Sequence, residues 1–137
     1  MLPRLISGGK HADARGILSF NNDLDLTEVK RIYIIENQDT QVVRAWQGHK
    51  TEQRWFTAVK GSFKIELIAI DNWEKPSKKL EKYSFMLSDE QLNVLHIPSG
   101  YVNSIQSLET DSKLLVMANY LLGEHQDDYR FSVDYFG

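Results

Sequence analysis

The sequence contains no cysteine. That excludes a disulfide framework, a thiolate zinc site, an iron–sulfur cluster and a cysteine nucleophile. Proline is scarce as well, with only Pro3, Pro76 and Pro98. No apolar run approaches the ~20 residues of a membrane-spanning helix. Met1 to Lys10 has no apolar stretch of the kind a secretory leader carries, so a cytoplasmic protein that works away from membranes is expected. A basic excess is missing too: 16 Lys+Arg stand against 19 Asp+Glu, a net charge of -3. Proteins that grip nucleic acid through its phosphates carry a cationic surplus, so no nucleic-acid partner is expected. What is present is ordinary for a folded protein: hydrophobic residues are 42% and aromatics 11%, too many for a disordered chain. At roughly 150 residues per domain, residues 1–137 are expected to form a single domain. A chain of this size buries about two-thirds of its unfolded surface and needs no covalent staple.

The hydrophobic period is two rather than 3.6. Phe63, Ile65, Leu67 and Ala69 alternate with Ser62, Lys64, Glu66 and Ile68. Ile32 to Ile35 and Val42-Val43 are rich in β-branched residues. Further strands are expected over Trp55 to Val59, Tyr83 to Leu87, Asn93 to Ile97, Asn103 to Leu108, Lys113 to Tyr120 and Arg130 to Phe136. Lys60-Gly61 reads as a tight turn joining Trp55–Val59 to Ser62–Ile65 in a hairpin. Only Leu24 to Lys30 and Glu124 to Tyr129 are candidates for a helical turn. Asp71 to Lys82, with Pro76 and interleaved lysines and acids, reads as a solvated loop. Short strands with turn signals about every ten residues make the fold all-β, a sandwich or barrel with room for a ligand.

The densest chemistry lies in Arg44-Ala-Trp-Gln47-Gly-His49-Lys50-Thr-Glu52-Gln-Arg54, followed by Gly61 and later by Pro98-Ser-Gly100-Tyr101-Val-Asn103. The glycines and the proline fall where they stand in the two motifs of metal-binding cupins, G-x5-H-x-H-x3-4-E-x6-G and P-x-G-x2-H. The metal ligands do not. Gln47, Arg54 and Asn103 occupy three of the ligand positions, and one imidazole, His49, is left. A divalent cation needs three or four N/O ligands and is repelled by a guanidinium, so no metal and no other cofactor is expected.

Over residues 11 to 136 the chain resembles the nucleotide-sugar cupins, in particular the TDP-4-keto-6-deoxyhexose 3,4-ketoisomerases of the WxcM-like group. The 3,5-epimerases of dTDP-rhamnose synthesis are more distant relatives. The residues that carry the likeness are Asp13-Ala-Arg15-Gly16, Val29-Lys30-Arg31-Ile-Tyr33, Lys60-Gly61-Ser62, Ile97-Pro98 and Asp128-Tyr129-Arg130. Arg44 to Lys50 matches the family's R-G-x-H-A-H-K, with Gln47 in place of the first histidine. The resemblance implies a double-stranded β-helix, the cupin jelly roll. It also implies a homodimer and an isomerase or epimerase acting on a nucleotide-linked 4-keto-6-deoxy sugar for surface polysaccharide synthesis. A non-catalytic cupin that binds a sugar nucleotide or carbohydrate is the alternative.

Ketone migration between neighbouring carbons needs a base that titrates near neutrality and a donor for the developing enolate oxygen. His49 suits the first role. Tyr33, Tyr101 or Gln47 suit the second by hydrogen bonding. Arg15, Arg31 and Arg44 are the family-aligned candidates for the diphosphate. Trp46, Trp55 and Phe63 are candidates to stack on a nucleotide base. Arg54 and Asn103 stand at former ligand positions and complete the candidate substrate-binding set. Plainer readings run beside these. Arg31 and Arg44 could pair with Glu36 or Glu52. Lys50 and Glu52 could face solvent, the tryptophans could anchor the core, and His96 reads as structural. His11 and His125 lie in polar loops and receive no role.

Overall fold

The structure is a computed structural model and describes residues 1–124 and 126–137. Among them lie β1 (Arg4–Ile6), β2 (Gly9–Asp13), β3 (Gly16–Phe20), β4 (Arg31–Ile35), β5 (Val43–His49) and β6 (Arg54–Lys60). There follow β7 (Ser62–Ala69), β8 (Tyr83–Ser88), β9 (Val94–Ile97), β10 (Tyr101–Ser107), β11 (Lys113–Ala118) and β12 (Tyr129–Arg130). They form two five-stranded antiparallel sheets, β1-β9-β6-β11-β4 and β12-β5-β10-β7-β8, and a separate ribbon, β2-β3. From β4 onward the chain crosses from one sheet to the other at every connection except β7 to β8, and the fold is an all-β jelly roll. No described helix is long and apolar enough to cross a membrane.

The alternation on β7 explains the core. Phe63, Ile65 and Leu67 point between the sheets and have no exposed surface. There they meet Phe56, Leu87, Leu95, Leu114 and Val116 from both sheets. Each such side chain contributes about 1.5–3 kcal/mol by leaving water. The outer faces are also covered. Behind the second sheet, Trp46, Ile68, Val102 and Phe136 pack together with Phe131 and Tyr135 from the C-terminal segment. Behind the first sheet, Leu24 and Val29 lie on Ile6, Trp55, Val94 and Met117. Double covering is why β10 is buried at nearly every position rather than at every second one.

Three expectations need correction. The hairpin across Lys60-Gly61 does not form: β6 pairs with β9 and β11, and β7 pairs with β8 and β10. The turn signal is real, but it carries the chain from one sheet to the other. Gly61 sits at φ 74°, its N–H donates to the Asp89 carboxylate at 2.8 Å, and Ser112 fills the space a Cβ would need. The expected strand Arg130–Phe136 is only Tyr129–Arg130; its aromatics are a cover over the sheet, not a strand face. Leu24–Lys30 holds a single turn, Val29 N–H to Leu26 C=O at 3.0 Å, and no helix. The described residues of Glu124–Tyr129 are not helical either, and His125 lies outside the described residues. The ribbon β2-β3 and strand β1 give no signal in the sequence, because they are short and largely exposed and bury no alternating face.

Candidate active site

A cavity of about 1100 Å³ opens between the sheets at one end of the roll. Strands β4, β5, β10 and β12 and residues 121–123 and 126–128 wall it. A bulge shapes the β5 wall. Gln47 lies opposite Asn103, but Arg44 lies opposite Ile105, so β5 carries one residue more than β10 between them. The extra residue resets the alternation and brings Arg44 to the same side as Gln47 and His49. Arg44 is then held from behind: its Nε donates to Asn37 Oδ1 at 2.7 Å, and Asn37 Nδ2 donates to the Ile105 carbonyl at 3.4 Å. Among the described residues the two terminal nitrogens of its guanidinium have no hydrogen-bond partner and are available to a ligand.

His49 ends β5 and is buried. Its Nδ1 lies 2.9 Å from the Asp127 carbonyl oxygen. A carbonyl only accepts, so Nδ1 carries the proton and Nε2 carries the lone pair. Burial lowers the pKa of His49, and the Arg54 charge lowers it further; the Asp127 carbonyl and the Glu52 and Asp127 carboxylates oppose this without cancelling it. The ring is therefore neutral at pH values where a free imidazole begins to protonate.

Beside it Arg54 Nη1 donates to Glu52 Oε1 at 2.6 Å, with side chains 5% and 11% exposed. A pair this dry gains its strength from exclusion of water and is costly to break. Asp127, also buried, accepts from three successive backbone N–H groups: Lys50 at 2.9 Å, Thr51 at 2.8 Å and Glu52 at 2.7 Å. Ligand atoms of His49, Glu52 and Asp127 lie within 4.8 Å of one another, a spacing a cation could use. Their chemistry does not suit one. The Asp127 oxygens are committed to backbone amides, Glu52 is held by Arg54, and the guanidinium sits in the same group.

Gln47, in the position of the missing histidine, donates from Nε2 to Asp128 Oδ1 at 2.9 Å. Arg130 Nε and Nη2 hold the other Asp128 oxygen at 3.2 Å. Burial alone would raise the Asp128 carboxyl; the bonds from Gln47 and Arg130 outweigh it and leave the pKa lowered. An ionised Asp128 only accepts, so it fixes which end of the Gln47 amide faces it.

The cavity thus brings together Arg31, Tyr33, Arg44, Gln47, His49, Arg54 and Asn103 of the expected set. It does not take in the other three. Arg15 sits at the tip of the β2-β3 ribbon, its side chain 89% exposed and paired with Asp13 at 2.7 Å. Trp46 falls on the far face of β5, where its Nε1 donates to the Val133 carbonyl at 3.1 Å. Tyr101 is in the core, with its hydroxyl given to the Met1 carbonyl at 3.1 Å. Of the other stacking candidates, Trp55 lies against the His96 ring, 5.1 Å between centroids, and Phe63 is core. The expected pairings of Arg31 or Arg44 with Glu36 or Glu52 give way to the Arg44–Asn37 and Arg54–Glu52 contacts. Glu52 does not face solvent. Asp127, Asp128, Tyr129 and Arg130 reach the wall from far along the chain. The only trace of them in the sequence was the family-like Asp128-Tyr129-Arg130.

A family model described as FdtA, WxcM-like, C-terminal matches residues 2–136. The chain belongs to the FdtA family. Among solved structures, this FdtA-family chain is similar to a histidine-to-asparagine mutant of the 3,4-ketoisomerase QdtA from Thermoanaerobacterium thermosaccharolyticum, in complex with TDP-4-keto-6-deoxyglucose. The two are 25% identical, the match covers 99% of this chain and 94% of that one, and the TM-score is 0.74. A 3,4-ketoisomerase from Helicobacter canadensis shares the fold at 21% identity, TM-score 0.73, over 99% and 96% of the two chains. So does the rmlC epimerase of Mycobacterium tuberculosis, at 14% identity and TM-score 0.77, over 98% of this chain and 72% of that one. No curated protein sequence matches this chain.

Proposed function

We propose that this chain is an isomerase that moves a ketone between carbons 4 and 3 of a nucleotide-linked 4-keto-6-deoxy sugar, without a metal or other cofactor. One observation carries the reading: His49, buried at the wall of the cavity, is held as the tautomer with its lone pair on Nε2. That nitrogen takes the proton from carbon 3. The electron pair of the broken C–H bond forms the C3–C4 double bond, and the carbon 4 oxygen takes the negative charge. The proton of the carbon 3 hydroxyl passes to that oxygen, carbon 3 becomes the ketone, and His49 returns a proton to carbon 4. Nothing is oxidised overall.

The Tyr33 hydroxyl is assigned to the enolate oxygen. Arg44, preset by Asn37, and Arg31, which lies over the Tyr33 ring at 4.7 Å, are assigned to the diphosphate. Gln47, Arg54 and Asn103 are assigned to the sugar. The kinship with sugar ketoisomerases and epimerases supports the reading.

The test is incubation with TDP-4-keto-6-deoxyglucose in heavy water, followed by proton NMR. Enzyme-dependent loss of the ring proton signals is expected, reduced about 10²- to 10⁴-fold in His49→Asn. Binding with no washout above the buffer blank would overturn catalysis and leave a sugar-nucleotide-binding cupin.

A homodimer is part of the proposal. Among the described residues the ribbon β2-β3 has no sheet partner, and it exposes Ile17 (67%) and Leu18 (62%), with Arg15 at its tip, outside the lining of its own cavity. A second copy would cover the leucine and isoleucine and carry Arg15 toward a neighbouring site. Light scattering is expected to give twice the 15.9 kDa chain mass; a species of chain mass would overturn it. Cytoplasmic work in building surface polysaccharide belongs to the same proposal, and cell fractionation with glycan analysis of a deletion strain tests it.

A further inference from the structure

We propose that Asp127 is the positioning residue of this site: its carboxylate pins the 50–52 turn, and through that grip its own carbonyl fixes the tautomer of His49. The proposal rests on the reading of His49 as the base and adds what makes it one.

Asp127 is buried in a wall where an unpaired carboxylate would be costly. It is fully engaged, but with main chain rather than side chains. Three consecutive N–H groups, of Lys50, Thr51 and Glu52, converge on its two oxygens between 2.7 and 2.9 Å. Such a nest of amides is an anion-binding concavity, and here the anion is supplied from 75 or more residues further along the chain. The consequences run in two directions. The turn that follows His49 is held, and with it Glu52, whose carboxylate holds Arg54. The backbone at position 127 is held as well, and its carbonyl accepts from His49 Nδ1 at 2.9 Å. One side chain thus sets both the proton position on the imidazole and the placement of the Arg54–Glu52 ion pair beside it. A hydrogen bond to one ring nitrogen decides which of the two is basic, and that choice is what a base requires. An ordinary loop anchor would have only the first of these connections.

The test is long-range proton–nitrogen NMR of the ¹⁵N-labelled full chain at about pH 8, where the ring is neutral. Wild type is expected to show His49 protonated at Nδ1. Asp127→Ala is expected to show a mixture in which the Nε2–H form is populated. It should also lower kcat about 10- to 100-fold, with KM changed by less than about threefold. Asp127→Asn retains an acceptor oxygen but turns an NH₂ toward one of the amides, and should fall between the two. If Asp127→Ala does not fold, Asp127→Asn decides. Should the folded variants keep the Nδ1–H tautomer and wild-type kcat while losing only thermal stability, Asp127 is a structural anchor and the proposal is overturned. The NMR readout needs no substrate. A wild-type chain that turns over no sugar, but whose tautomer changes in the variant, would sink the ketoisomerase reading and not this one.

Discussion

A single imidazole set among two carboxylates and a guanidinium titrates according to the balance among them. In His49 the depressing influences, burial first and Arg54 second, outweigh the supporting charges of Glu52 and Asp127. With His49 as the proposed base, turnover requires the neutral ring, so the rate is expected to rise with pH through the folded-state pKa and level off above it. Arg54→Met removes a depressing charge and should move this acid limb to higher pH. Glu52→Gln removes a supporting one and should move it lower. A pH–rate profile of the two variants checks both signs. Arg54→Met should also cost about 3 kcal/mol of stability, read by urea unfolding, because it breaks an ion pair whose side chains are almost wholly out of water. His49, Gln47 and Arg44 were legible in the sequence as candidates, since they share one short motif. Asp127 was not, because nothing in an acidic residue announces that three amides 75 or more residues earlier in the chain will meet on it.

At the level of elements, the corner at Gly61 and the close approach at Gly48 decide how the walls are set. A Cβ at Gly48 would come within 2.6 Å of Val102 Cα, so β5 can lie beside β10 only with hydrogen at that position. At Gly61 the backbone is in the left-handed region and Ser112 occupies the side-chain space. Gly61→Ala should destabilise by about 2 kcal/mol, as a downward shift in the urea midpoint with an unchanged m-value. The strands themselves were readable wherever one face is wet, as on β7 and β8. Partnership was not readable. A two-residue turn followed by alternating residues looks the same whether the chain folds back on its own sheet or crosses to the opposite one, because the signal is local and the pairing is not. The aromatic C-terminal segment misled for a related reason: it is apolar because it covers a sheet. Phe136→Ala should cost about 3 kcal/mol in thermal or urea unfolding, through loss of its edge-to-face contact with Trp46 at 5.4 Å and the space left behind.

For the whole molecule, acid is the weak side. His49 and half-buried His96 are both lowered from 6.5, chiefly by burial. Their unfolded forms therefore bind protons that the folded forms refuse. Stability from these two groups is complete above pH 6.5 and declines as pH falls toward their folded values. Urea midpoints measured across that range should drop on the acid side, and a His96→Gln variant, which cannot protonate, should drop less steeply. The all-β architecture and the ligand-sized hollow could be anticipated from the spacing of strands and turns. The separation of Arg15 from the cavity could not, since a ribbon that stands clear of its own roll differs in no sequence signal from one that docks on it.

The last ten residues begin on one side of the second sheet and end on the other. Asp128 to Arg130 stand at the mouth of the hollow, while Phe131 to Phe136 seal the opposite surface. A protease that nicked the chain just before them, or a reading frame that stopped there, would strip one wall of the hollow and expose a greasy surface in the same event. The expected product is an insoluble fragment rather than a stable but inert jelly roll.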